Sequence, residues 1–366
     1  MSRSRIPARD PDPSARPSSD GRTPPRVRAL GLLVCLVAAT LASCAREPGH
    51  WICVSNEKSG TVSVIDGATR AVIATIPLGK RPRGIHASPD GSTLYVALSG
   101  SPIAGPPGSG PPADSLPPAD RSADGIGVVD LRALRLARVI KGGIDPEQFA
   151  ISPDGSTLYI ANEDAAALSL VRTRDGSIAR VIPMGEEPEG VGIAPGGQPV
   201  MVTCEAQGEV FFLDPTGIPL GRVMVPGRPR SVAFLPDGSR AYVPAESHGT
   251  LSTIDVPHRQ PAGIIALPSG SRPMGTAMAR DGKTLYVSNG RAGTVSILDV
   301  PSLRLRANVK VGARPWGIGL SPNGRYLYVA NGPSNDVSVI DTQAGREVGR
   351  IRVGEGPWGI AVVPSP

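Results

Sequence analysis

The sequence predicts an all-β protein: a seven-bladed β-propeller closed by its C-terminal strand, behind an N-terminal lipoprotein signal peptide. Three observations carry this. The first is a repeat that fills the chain from Trp51 onward. One position, the core of an apolar strand, recurs as Cys53, Tyr95, Tyr159, Met201, Tyr242, Tyr286 and Tyr328, at separations of 42, 64, 42, 41, 44 and 42 residues. The second is an aspartate that ends the next strand: Asp66, Asp130, Asp214, Asp255, Asp299 and Asp341, with Arg172 in its place in the third repeat. The third is composition. With 45 Gly, 40 Pro and 4% aromatics in 366 residues, the chain is punctuated for short strands and tight turns rather than long helices. A period of about 40–45 residues with four strands per unit is that of propeller blades.

Each blade reads as strands A to D, from the channel outward. Strand A follows a proline at residues 84–88, 148–152, 190–194, 231–235, 275–279, 317–321 and 359–363. Asp90-Gly91, Asp154-Gly155, Asp237-Gly238, Asp281-Gly282 and Asn323-Gly324 then supply hairpin turns, since Asp-Gly and Asn-Gly suit the two-residue turn whose twist matches the strands. The fourth repeat has Gly196-Gly197 instead. Strand B is the tyrosine-bearing strand, C ends at the aspartate and D is of the type VIATIPLG at 72–79. The first repeat, over 52–79, begins at strand B. The chain ends on an A strand, 357–364, with no blade of its own. Pairing the two closes the ring and removes its free edges.

The long interval in the tyrosine series marks an insertion between B and C of blade 2. Residues 101–124, SPIAGPPGSGPPADSLPPADRSAD, lack apolar periodicity and predict an irregular, mobile loop.

At the N-terminus, an arginine-rich stretch precedes 13 apolar residues, ALGLLVCLVAATL at 29–41. The run is too short for a bilayer, which needs about 20 residues; with its basic flank it fits a signal peptide. It ends in Leu41-Ala42-Ser43-Cys44, which resembles the bacterial lipoprotein signal; that resemblance implies lipidation of Cys44. The expected organisation is signal peptide 1–44, linker 45–50 and propeller 51–366. The product is then an exported, membrane-anchored lipoprotein, periplasmic or at the cell surface. Of the net charge of +6, seven Arg less three Asp before residue 29 account for +4. The basic balance thus belongs to the export segment and argues against nucleic acid as a partner. Cys53 and Cys204 remain in the propeller, in blades nearly opposite one another. They read as small buried apolar residues rather than a disulfide, and nothing has zinc-ligand spacing.

The loops from D to A vary while the frame repeats: Arg81-Pro-Arg83, Asp145-Pro-Glu147, Glu187-Pro-Glu189, Arg228-Pro-Arg230, Arg272-Pro-Met274, Arg314-Pro-Trp316 and Gly356-Pro-Trp358. The third residue of each is placed at the rim of the channel. Arg83, Glu147, Glu189 and Arg230 make a charged arc, and Met274, Trp316 and Trp358 an apolar one. Indoles offer stacking surface and charges fix polar groups, so this rim is the expected binding site for a small molecule or protein partner. The competing reading is that the charges only pair with one another. His86 replaces a residue that elsewhere on strand A is Ala or Gly (Ala150, Gly192, Ala233, Ala277, Gly319, Ala361). It is a weak candidate metal ligand, having no partner ligands. No cofactor is expected, and the protein is expected to be a monomer.

The repeats resemble the YVTN-type propeller family of surface-layer and secreted proteins. Four stretches are similar to exported propellers associated with pyrroloquinoline-quinone-dependent catabolism: GKRPRGI at 79–85, DPEQFAISPDG at 145–155, EPEGV at 187–191 and SNDVSVID at 334–341. A more distant likeness is to the propeller of haem-containing nitrite reductases. Neither resemblance supplies a catalytic residue. With no nucleophile elbow, HExxH or phosphate loop in view, the sequence favours a non-catalytic, lipid-anchored binding or scaffold propeller. The alternatives are a lactonase-type hydrolase or lyase using Glu147 and Glu189 of the acidic rim, and a redox accessory linked to quinone-dependent oxidation.

Overall fold

A computed structural model describes residues 49–103 and 115–365. The expected signal segment with Cys44 and residues 104–114 of the insertion lie outside them. The described chain forms seven four-stranded antiparallel sheets. Six are consecutive runs, beginning at Pro82–Ala87, Pro146–Ile151, Pro188–Ile193, Ala233–Phe234, Pro273–Met278 and Pro315–Leu320. The seventh joins the two ends of the chain. Pro357–Pro364 lies inside His50–Asn56, followed by Thr61–Asp66 and Val72–Pro77, in the register Trp51↔Val363, Ile52↔Val362 and Cys53↔Ala361. Closure by the C-terminal strand is as expected.

Alternation along strands B and C explains why blades stack. Cys53, Tyr95, Tyr159, Met201, Tyr242, Tyr286 and Tyr328 are all buried, and each faces the following blade. Tyr95, for example, packs with Phe149 and Ile160, Tyr242 with Leu285 and Val287, and Tyr328 with Ile52 and Val54 across the closure. An apolar cluster fills each of the seven interfaces between neighbouring blades. A blade therefore has no core of its own and is stable only between neighbours. Cys53 and Cys204 are free and buried within this packing.

The repeated polar residues hold turns and strand ends. The aspartate ending strand C caps the next turn: Asp66 accepts the Thr69 amide at 2.7 Å and Asp130 the Ala133 amide at 3.0 Å. At the far end of strand B, the side-chain amides of Asn56, Asn162, Asn289 and Asn331 donate to Ser63, Ser169, Ser296 and Ser338 at 2.8–3.0 Å.

The described ends of the insertion are tied to the body. Asp124 is buried and accepts the amides of Gly100 at 2.6 Å and Asp145 at 3.1 Å. Arg81 donates to the carbonyls of Ser101 and Pro102 at 2.9 and 3.1 Å. Lys80 pairs with Asp120 at 2.7 Å.

Candidate functional site at the channel mouth

All seven D-to-A loops turn into the channel in the same way. The residue before the proline is left-handed in every blade: Arg81, Asp145, Glu187, Arg228, Arg272, Arg314 and Gly356, with φ between 40° and 66°. Six of these are not glycine, and such a conformation costs them roughly 1–2 kcal/mol each. The turn aims the preceding carbonyl outward at the loop after strand B. Asp145, Glu187, Arg228 and Gly356 carbonyls accept the amides of Glu163, Glu205, Glu246 and Glu57 at 2.8–3.1 Å. The proline then starts strand A, and the next side chain enters the channel.

Close approach between blades fixes this ring. The residue after it is Gly84, Gly190, Gly275, Gly317 or Gly359 in five blades. A Cβ there would lie 1.9–2.8 Å from the next blade's carbonyl at Glu147, Arg230, Trp316, Trp358 or Arg83. Three strand-B hydroxyls stitch the contact: Ser55, Thr203 and Ser288 donate to the carbonyls of Arg83, Arg230 and Trp316 at 2.6–2.9 Å.

The structure thus brings Arg83, Glu147, Glu189, Arg230, Met274, Trp316 and Trp358 to one level. Only Trp316 is half-exposed; the others are buried. Trp316 and Trp358 stack on each other, centroids 5.1 Å apart, with the guanidinium groups of Arg230 and Arg314 over the Trp316 ring. Above the ring opens a cavity of about 630 Å³, also lined by Ser101, Pro102, Ile103 and Arg121 of the insertion. Below it lies a chamber of about 170 Å³, which contains His86. Among the described residues, no group of His, Cys, Asp and Glu is arranged to hold a metal ion.

A second ring was not foreseen. Glu57, Glu163, Glu205 and Glu246 each follow strand B directly, one slot repeated in four blades; that column in the sequence was the available signal. Together with the loop residues they build two buried ion clusters. Arg83 pairs with Asp145 at 2.7 Å, with Glu147, and with Glu163 at 3.7 Å. Arg230 pairs with Glu189 and Glu205 at 2.7 Å and with Glu246, while Arg228 and Arg272 reinforce the last two acids.

The clusters differ electrostatically. Burial, with Glu189 and Glu163 adding, pushes Glu147 well above the usual carboxyl range despite Arg83. Burial and Glu189 likewise raise Glu163, while its hydrogen bond with Glu147 opposes the shift. Burial and like charge thus favour proton uptake by this pair. Burial acts against Asp145 and Glu246 too, but Arg83 and Arg230 win, and both carboxyls fall below their ordinary range. Of the guanidinium groups lining the cavity, Arg314 alone has no carboxylate partner among the described residues; burial lowers its basicity.

Residues 222–352, from the outer part of blade 4 to blade 7, match the family described as "Lactonase, 7-bladed beta-propeller". No curated protein matches the chain significantly. Among solved structures, the Pseudomonas aeruginosa periplasmic gluconolactonase PpgL is 21% identical, with 87% of this chain and all of that one covered and a TM-score of 0.69. A Bacteroides fragilis protein described as a candidate 6-phosphogluconolactonase is 19% identical, covering 86% and 98%, with a TM-score of 0.71. Kuenenia stuttgartiensis hydrazine synthase is 25% identical, covering 79% and 92%, with a TM-score of 0.65. The Lactonase match overturns the expectation of a non-catalytic scaffold and favours the hydrolase alternative. The sequence offered no compact catalytic motif, since the acids at the mouth lie on loops of separate blades.

Proposed function

We propose that the protein is a lactonase-type hydrolase whose active site is the channel mouth. The observation that carries the reading is the carboxyl pair Glu147 and Glu163, both raised above the usual range, at the wall of a 630 Å³ cavity, in a chain with a Lactonase match. Lactone hydrolysis needs a base for the attacking water and an acid for the leaving ring oxygen, and two carboxyls of opposite protonation supply both. Glu163, ionised, takes a proton from water as its oxygen bonds to the acyl carbon. The ester C–O bond breaks, and Glu147 delivers its proton to the departing alkoxide. Arg314 is available for charge on the carbonyl oxygen, since no carboxylate neutralises it. The indole pair supplies a flat apolar wall for the ring.

The test is hydrolysis of D-glucono-1,5-lactone and δ-valerolactone followed by pH-stat. The wild type is expected to exceed spontaneous hydrolysis, and Glu163→Gln to lose about 10²-fold or more while keeping its melting temperature at pH 5. A wild type no faster than buffer, or a fully active variant, overturns the reading.

Residues 29–44 and the YVTN-type repeats support an exported, Cys44-anchored enzyme acting outside the cytoplasm. Mass spectrometry of the native N-terminus decides this: a diacylglyceryl-modified Cys44 is expected, and an unmodified terminus elsewhere refutes it.

A further inference from the structure

Two polar residues break small-residue columns of the repeat, and they do so side by side. At the channel-facing position of strand A, blades other than blade 2 carry Ala or Gly, whereas blade 2 carries His86. At the position after the rim residue, five blades carry Gly and one carries Ser231, whereas blade 3 carries Gln148. His86 and Gln148 come from adjacent blades, and both line the 170 Å³ chamber beneath the ring.

Neither is explained by packing. The His86 ring stands edge-on to Phe149, centroids 4.9 Å apart, a contact an apolar ring would make as well. Burial lowers its pKa to about 4, with the nearby Gln148 amide pulling slightly the other way, so it is neutral at physiological pH. Gln148 Oε1 is buried beside the His86 ring and makes no hydrogen bond of ordinary geometry. A buried amide oxygen without a donor costs about 1–3 kcal/mol, a cost that a glycine, as in five other blades, would avoid. Across the chamber, Ser231 Oγ and Thr276 Oγ1 lie 3.0 Å apart. Ile85, Val191, Val232, Ile318 and Ile360 make the aliphatic walls, and the Glu189–Arg230 ion pair, Met274 and the two indoles of the ring close the upper end.

Away from that ion pair the chamber has no charged side chain; it is polar on two sides and shares Glu189, Arg230, Trp316 and Trp358 with the proposed lactonase site above. An ion would lose its hydration here, where the nearest charges are already paired with each other. A hydroxyl suits it, donating to Gln148 Oε1 and accepting from the imidazole N–H. We propose that this chamber is a hydroxyl subsite, in which His86 and Gln148 select ligands carrying an uncharged polyol arm. The inference rests on the mouth being the ligand site and deepens the lactonase reading by assigning its substrate preference to two residues outside the ion clusters. The volume accommodates several waters or a short hydroxylated arm, so the shared chemistry is a hydroxyl group, from ordered water or from the ligand.

The test uses the intact mature protein and two variants that restore the repeat consensus, His86→Ala and Gln148→Gly. One arm compares kcat/KM for D-glucono-1,5-lactone and δ-valerolactone, which lacks hydroxyls. The wild-type preference for the hydroxylated lactone is expected to fall at least tenfold in each variant, mainly through KM. The second arm needs no catalysis: binding of 1,5-anhydro-D-glucitol, a neutral cyclic polyol, read by fluorescence of Trp316 and Trp358. Binding is expected in the wild type and weakened at least tenfold in both variants. If polyol binding behaves so but no lactone is turned over, the subsite stands and the lactonase reading falls. If both lactones are hydrolysed with an unchanged ratio, the subsite falls and the lactonase reading stands; the chamber then holds only water. A wild type that shows neither preference nor polyol binding also overturns the inference.

Discussion

The clusters around Arg83 and Arg230 occupy the same slots of the repeat, two to three blades apart, yet they are built for different ends. Around Arg83, one guanidinium faces Asp145, Glu147 and Glu163. Around Arg230, the three acids Glu189, Glu205 and Glu246 are matched by Arg228, Arg230 and Arg272. Balanced charge leaves ionised, paired groups that hold blades 4 and 5 together. Excess acid in the other cluster instead favours proton uptake, raising Glu147 and Glu163. One structural device thus takes two electrostatic forms through its charge count.

The largest effect should come from breaking the balanced cluster. Arg230→Ala leaves buried Glu189 without its ion-pair partner and takes one of the partners of Glu205 and Glu246, and losing one member of a buried ion pair costs about 3–5 kcal/mol; urea denaturation at pH 7.5 measures it. Arg83→Ala should cost less, and its cost should shrink further at pH 5, because the carboxyls it abandons can take up protons. Equal and pH-independent losses for the two variants would erase the distinction drawn here.

Linkage sharpens it. Glu147 and Glu163 have folded pKa values above the ordinary 4.5. Their contribution is fully favourable below that value and is lost as pH rises through the raised one. Asp145 and Glu246 are shifted down, so their contribution is present above the unfolded value and lost as pH falls through the folded one. Glu163→Gln should therefore gain melting temperature over the wild type at pH 8 and not at pH 4. Glu246→Gln should lose it at pH 8. Parallel melting curves for the two variants across pH would contradict the assignment.

The smallest effect belongs to the aromatic arc. Trp316→Ala removes the stacking on Trp358 and the contacts with Arg230 and Arg314. At a half-exposed site this is worth roughly 0.5–2 kcal/mol of stability. Binding of a lactone or polyol should suffer more than folding does, as isothermal titration beside thermal melting would show.

The frame was legible because blades repeat: the tyrosine column, the strand-ending aspartates and the prolines fix register, order and closure without tertiary information. The rim residues were legible for the same reason, since Arg83, Glu147, Glu189 and Arg230 are variable residues in a constant slot. Their burial was not. It follows from six left-handed residues that turn the loops inward, a conformation no propensity assigns to arginine or glutamate. Glu163 was missed because its partner Glu147 lies a strand away, and a carboxyl raised by burial leaves no mark in a sequence. His86 stood out against its column; Gln148, inside the motif DPEQFA, did not, because its departure from glycine matters only beside the chamber.

Closure by the last strand also has a consequence in time. His50–Asn56 emerges from the ribosome early, but the strand that covers its inner edge is bonded to it across 304 residues, as between Ser55 and Gly359. At about 5–20 residues per second, that edge waits on the order of 15–60 seconds for its partner. Until then the nascent chain is an open arc with sticky ends. Arrival of that last strand, not the growth of any one blade, is the event that commits the ring to a native shape.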